Sequence, residues 1–215
     1  MDKPTIKKAM SKARESSKPR KFKQSFDLIV NLQDLNLKNP TDQVEFFANL
    51  HYDTGRKMTV CALTGPELTA EAEKTCDFVI KQPQFEEYKD KRKAKKLAAQ
   101  YDYFIAQANI MPQVATVFGR ALGPRGKMPN PKAGCVVPAN ATLKPLVDRL
   151  ASTVKISAKK LPIVQIRVGK EDQSEEEVLD NIFVIYDQLL HHLPKEKNNI
   201  KNAYLKLSMG KPVRF

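Results

Sequence analysis

Four basic side chains, Arg120, Arg125, Lys127 and Lys132, fall within the sixteen residues 119–134, GRALGPRGKMPNPKAG, which contain no acid. Four of the chain's eight glycines and three of its fourteen prolines fall there too. Glycine opens backbone conformations that other residues resist, and proline fixes φ and removes a donor. The stretch is therefore a shaped, electropositive loop, and its chemistry is the holding of a phosphate-bearing partner. The same residues equally suit a tight, solvated connection between two elements. A nucleotide-hydrolysing loop needs a glycine, four residues, then Gly-Lys-Ser/Thr, because the hydroxyl holds magnesium. With Gly126-Lys127 as the Gly-Lys pair, the first position is Ala121 and Met128 replaces the hydroxyl, so the pattern fails twice.

The rest of the chain offers little for catalysis. Cys61, Cys76 and Cys135 are scattered with no CxxC spacing, which fits buried thiols in a reducing compartment. The histidines are His51 and the pair His191-His192, and the pair closes a helix before Pro194, where cations suit the dipole. No metal-ligand spacing, no GxGxxG after a strand and no nucleophile paired with a histidine is visible. We expect neither metal nor cofactor, and no enzyme. Thirty-seven Lys and Arg against twenty-four Asp and Glu give a net charge of +13, which implies a polyanionic partner, nucleic acid before acidic membrane. No apolar run is long enough to cross a bilayer, and the basic N-terminal arm lacks the apolar core of a secretory signal.

These residues must be carried by ordered elements. At 215 residues, 41% of them hydrophobic, the chain has room for one large domain or two small ones. Thr5 to about Arg14 reads as a short basic helix. Phe26, Leu28, Val30 and Leu32 alternate with polar residues as a half-buried strand. Val44, Phe46, Ala48 and Leu50 do the same, and an antiparallel pairing of these two strands is expected. In the middle of the chain the style changes. Met58–Leu63 is nearly continuous apolar sequence, as in a parallel-sheet strand buried on both faces. Short apolar runs at 78–80 and 103–106 alternate with helical stretches at 68–74, 85–100, 113–122 and 143–150. Helix 85–100 is strongly basic, and reads as a solvated face or as a polyanion reader. Period two returns after Val154, with Val164, Ile166 and Val168. A capping box at Ser174–Glu177 opens a helix with Val178, Ile182, Ile185 and Leu189 on one face. A last strand alternates Ala203, Leu205 and Leu207 with Tyr204, Lys206 and Ser208. The expected fold is α/β in two domains. Residues 1–63 plus 154–215 form a discontinuous α+β domain, an antiparallel sheet with helices on one side. Residues 64–153 form an inserted Rossmann-like domain with a parallel sheet, joined by two crossings that make a hinge.

Three stretches together, LGPRGKMPNPKAG, KFKQSFDLIVNL after a basic arm, and LSMGKPV near the C-terminus, resemble the ribosomal protein L-one family, and its archaeal branch in particular. The resemblance covers the chain from about Thr5 to Phe215. It implies the same two-domain fold, direct binding of large-subunit rRNA, and a mobile stalk beside the exit site from which deacylated tRNA leaves. It further implies binding of a similar element on the protein's own mRNA, which represses translation, and a cytoplasmic place in the large ribosomal subunit with no membrane association, as a monomer when free. The family's RNA surface maps onto Lys21, Phe22, Gln24, Ser25, Gln165, Ser208, Met209 and Gly210. Ser208 stands where the family has threonine, keeping the hydroxyl and losing a methyl. Gln24 stands near a position that is often glutamate. The central loop, with Arg125, Lys127 and Lys132, maps onto the face turned toward tRNA or distal rRNA. Without the resemblance, Phe22 reads as an edge-of-core aromatic and Met209 as a core plug. The alternative function is a non-specific basic protein that coats nucleic acid.

Overall fold

The computed structural model describes residues 3–215, so the first two positions of the expected terminal domain lie outside the described residues. In chain order the elements are α1 (Lys3–Glu15), β1 (Ser25–Leu32), β2 (Val44–Asn49), β3 (Val60–Thr64), α2 (Thr69–Thr75), β4 (Phe78–Lys81) and α3 (Lys91–Gln100). They continue with β5 (Tyr103–Gln107), α4 (Met111–Leu122), β6 (Val136–Val137), α5 (Lys144–Ser152), β7 (Thr153–Ala158), β8 (Ile163–Lys170), α6 (Glu175–His192), β9 (Ile200–Leu207) and β10 (Val213–Arg214). The chain forms two compact units, Met1–Arg56 with Ser152–Phe215, and Lys57–Ala151. The strand Val60–Thr64 lies wholly within the second unit, although the boundary read from sequence placed most of it in the first. All five of its residues are buried, and it pairs in parallel with β4 and β5.

The first unit is built on an antiparallel sheet in the order β10-β9-β1-β8. Inward residues of β1, Phe26, Leu28, Val30 and Leu32, pack with Ile6 and Met10 of α1 and with Val178, Ile182, Ile185 and Leu189 of α6. Period two in the strands and helical spacing in α6 thus meet in one core. Ser174 opens α6, its Oγ accepting from the Glu177 N–H at 3.3 Å. One sequence expectation is corrected here. The strand β2 does not pair with β1; it pairs antiparallel with β7, from Val44 opposite Ala158 to Asn49 opposite Thr153. Both edges of β1 are taken by β8 and β9. The connection 33–43 is too long to enforce a hairpin, and its Asp34 sits at φ 55°.

The second unit carries a parallel sheet in the order β4-β3-β5-β6. Cys61, Leu63, Phe104 and Ala106 on one face meet Leu97 and Ala98 of α3 and Val114, Phe118 and Leu122 of α4. Phe118 packs edge-on against Phe85, with ring centroids 5.3 Å apart. The single basic helix expected over 85–100 is broken: a 3-10 segment, Gln82–Lys89, precedes α3. Asp90 takes an extended conformation and accepts from the Arg92 N–H, which starts the helix anew.

Candidate nucleic-acid interface

The end of β1 meets the end of β9 in the first unit. The Ser208 N–H donates to the Ser25 carbonyl at 3.0 Å. The Ser208 hydroxyl accepts from the Ser25 N–H at 3.2 Å and lies 3.3 Å from the Ser25 carbonyl, to which it donates. Gln24 completes the joint. Its side-chain oxygen accepts from the Met209 N–H at 3.1 Å, and its amide donates to Ser17 Oγ at 3.0 Å. The Gly210 N–H closes the turn on the Leu207 carbonyl at 2.8 Å. A Cβ on Gly210 would meet that of Leu207 at 3.3 Å, so the turn has little room for a side chain.

This joint sorts the residues named from sequence. Gln24 and Ser25 are only 2% and 3% exposed; they hold the turn rather than present themselves. Phe22 and Met209, by contrast, are 55% and 61% exposed, and Lys21 is exposed beside Phe22. Lys23 is tied to Asp172 at 2.5 Å and holds that carboxyl below its ordinary range. Gln165 is exposed but stands apart, opposite Ile29 of β1. That is four residues along the strand from Ser25, roughly 13 Å at the rise of a strand.

Strand pairing aligns Gln165 with outward residues that sequence reasoning did not name as site residues. Gln165, Ile29, Tyr204 and Arg214 form one row across β8, β1, β9 and β10, and Arg167, Asp27 and Lys206 form the next. The outward phase of β9 was legible in its alternation; its alignment with Gln165 was not, because register is set by partners distant in sequence. Burial raises the Asp27 carboxyl above its ordinary range, while Lys206 and Arg167 on the neighbouring strands pull it back.

In the second unit the central loop is shaped by its glycines. Gly126 (φ 65°) ends the 3-10 turn Gly123–Arg125, and Gly134 (φ 76°) ends the turn Pro131–Ala133. The Asn130 side chain accepts from the Lys132 N–H at 2.9 Å. Arg125 and Lys132 are exposed, whereas Lys127 is half-buried. Its Nζ donates to the carbonyls of Ala98 and Tyr101 at 3.1 and 2.6 Å, a cation on the C-terminal end of α3. One of its three donors is left for anything else.

A parallel sheet of this kind receives ligands where the strand order reverses, here at the carboxyl ends of β3 and β5. Gln107 fills that place. Its Oε1 accepts from the Gly65 N–H at 2.9 Å and its amide donates to Glu67 at 3.2 Å. A Cβ on Gly65 would meet Gln107 Oε1 at 2.8 Å, so the two residues are fitted to each other. Among the described residues, no group of three or more His, Cys, Asp or Glu side chains is placed to hold a metal ion, and no helix is long and apolar enough to cross a membrane.

The fold and surfaces define a class: a strongly basic, two-unit α/β protein with separate antiparallel and parallel sheets. Residues 11–211 match the model of the Ribosomal protein L1p/L10e family. The chain belongs to that family. It is 42% identical to the large ribosomal subunit protein uL1 of Methanothermococcus thermolithotrophicus, over 100% of this chain and 99% of that one. The protein of the same name from Methanocaldococcus jannaschii is 38% identical over 100% of this chain and 96% of its own length. That from Methanococcus voltae is 42% identical over 98% and 97%. The relatives named are archaeal, the branch that the three stretches resemble.

Proposed function

We propose that this chain is a non-catalytic component of the large ribosomal subunit that binds rRNA through the joint of β1 and β9. The observation that carries this reading is a turn bonded to Gln24 and Ser25, with exposed Met209 in the turn and exposed Phe22 two residues before Gln24. A-form RNA hides its bases in a deep, narrow groove and displays 2′-hydroxyls and sugar edges on a shallow one. A preformed turn with exposed backbone, flanked by an aromatic ring and a thioether, suits that display. Phe22 stacked on a base or packed on a ribose contributes about 1–3 kcal/mol. Lys21 and the outward Arg167 and Lys206 add attraction to phosphate that is independent of sequence.

The family resemblance supports the finer reading. The chain forms a mobile stalk at the tRNA exit site, assists release of deacylated tRNA, and represses its own mRNA by offering the same face to a similar element. Arg125 and Lys132, with the remaining donor of Lys127, are the groups for exit-site tRNA or distal rRNA. The two crossings of the chain between the units serve as the hinge. The protein acts in the cytoplasm, away from membranes, and is a monomer until it joins the ribosome.

Met209→Asp and Ser208→Val test the face. Binding to a large-subunit rRNA fragment should weaken by about 1–3 kcal/mol, with the melting temperature held in Met209→Asp and lowered in Ser208→Val, which also loses the hydroxyl's bonds to Ser25. Unchanged affinity would remove both residues from the site. Wild-type protein that binds the fragment no better than an unrelated duplex at matched salt would favour the non-specific alternative.

A further inference from the structure

Helix α3 exposes Lys91, Arg92, Lys93, Lys95 and Lys96, and none of them forms an ion pair with a described residue. Five of the fifteen basic residues in 57–151 thus lie on one ten-residue helix. The arrangement works against the helix itself. Lys91 with Lys95 and Arg92 with Lys96 are like charges one turn apart, and three cations crowd the end where the dipole favours anions. The adjacent acid, Asp90, is used as the N-cap. Buried Ala94, Leu97 and Ala98 fix the opposite side of the helix in the core, so the cations cannot rotate away from solvent. Lys127, bonded to the carbonyls of Ala98 and Tyr101, ties the central loop to the C-terminal end of α3, and exposed Arg125 stands two residues before it in that loop.

We propose that α3, continued by Arg125, is a docking strip for the phosphate backbone of a duplex RNA segment, distinct from the face on the first unit. The proposal rests on reading the chain as an rRNA-binding protein. The occupant follows from the chemistry. Stable docking on a protein partner or within a membrane interface draws on apolar anchors facing outward, and the apolar residues of α3 face the core. A phosphate backbone needs charge alone. Successive turns of the helix set cations about 6 Å apart along its axis, close enough to meet neighbouring phosphates of one strand. Each phosphate neutralised releases condensed counterions, so the strip acts through salt-dependent affinity and not through sequence.

The test uses the full chain with Lys91→Gln, Arg92→Gln, Lys95→Gln and Lys96→Gln together, and an RNA duplex of arbitrary sequence as probe. The slope of log affinity against log salt should become shallower by roughly 3, at about 0.7–0.9 for each phosphate that the variant no longer neutralises. Replacing the three lysines by arginine should leave the slope as it is. A matched neutralisation elsewhere, Lys7→Gln, Lys8→Gln, Lys12→Gln and Lys201→Gln, should change it far less. An unchanged slope in the α3 variant overturns the proposal, and so does an equal change in the matched control. Loss of binding to polyglutamate or to anionic phospholipid vesicles with the RNA slope intact overturns it as well. Circular dichroism keeps the test readable, since removing these exposed cations should leave the fold in place. The α3 variant should keep the preference for the rRNA fragment over the duplex, whereas Met209→Asp should reduce it. If Met209→Asp is silent and the α3 variant is not, the terminal face fails and the strip stands.

Discussion

In the first unit Ser25 and Ser208 meet across 183 residues of sequence, while in the second unit the five cations of α3 lie within ten. The two surfaces differ in chemistry as they differ in range. The joint of β1 and β9 is made of neutral groups: an amide, two hydroxyls, backbone donors and two exposed apolar side chains. The amide, the Ser208 hydroxyl and the Met209 backbone are placed by hydrogen bonds that exist only once the sheet has formed. The strip on α3 is made of charge and needs only a local helix held against α4. A surface assembled from distant strands can fix shape to within a hydrogen bond and is suited to discrimination. A surface assembled within one helix supplies attraction with little discrimination. On the two proposals made above, the molecule divides these tasks between its units.

The comparison breaks first if the units do not behave as separate folding bodies. Phe118 of α4 is fully buried with its ring against Phe85, and Phe118→Ala should destabilise the second unit by about 3–5 kcal/mol. Hydrogen exchange should then accelerate in α3, α4 and β5 while β1, β8 and β9 keep their protection. Loss of protection in both units together would mean that they fold as one body. A smaller effect tests whether the joint acts by shape. Gln24→Met keeps the length of the side chain but removes the acceptor for the Met209 N–H. Affinity for the rRNA fragment should fall by about 1 kcal/mol, the usual net worth of one hydrogen bond. The salt slope should not change, because no charge is altered. A changed slope would show that Gln24 influences charged contacts, contrary to a positioning role.

Much of this was legible in the sequence, for a physical reason. Half-buried strands and amphipathic helices write their period into the chain, so β1, β8, β9 and α6 stood out with their inward faces. Partners did not stand out. Period two says that Val44–Asn49 is a strand but not that β7, across the insert, completes it. Asp90 was readable in principle as a cap before Lys-Arg-Lys, yet the uniform basic composition of 85–100 concealed the break. The site was less legible still. Phe22, Ser208 and Met209 entered through family resemblance, since composition alone made them an edge aromatic, a turn and a plug. That Gln24 is a buried strut, or that Lys127 caps α3, depends on carbonyls and N–H groups whose positions no local pattern encodes.

The smallest effect sharpens the contrast between paired and unpaired charge. In the first unit Glu45 on β2 meets Lys155 and Lys159 at 2.9 and 2.5 Å. Hydrogen bonds from Lys159 and then Lys155 hold its carboxyl below the ordinary 4.5. A carboxyl lowered in this way adds stability that is complete above the unfolded value and is lost as the pH falls through the folded one. Glu45→Gln should therefore cost the first unit about 0.2–1 kcal/mol at neutral pH, the range of solvent-exposed pairs, and almost nothing in strong acid. Salt gives the opposing signs. Screening weakens the Glu45 cluster, so the cost of Glu45→Gln should shrink as salt is added. On α3 screening relieves repulsion, where each like-charge pair one turn apart costs about 0.2–0.5 kcal/mol. Neutralising α3 should raise the stability of the second unit at low salt, and that gain should also fade as salt is added. Chemical denaturation of both variants with urea, followed by hydrogen exchange in each unit, reads the two trends side by side. If both variants shift stability in the same direction at low salt, the cations of α3 are paired in solution, and the division of labour between the units loses its electrostatic half.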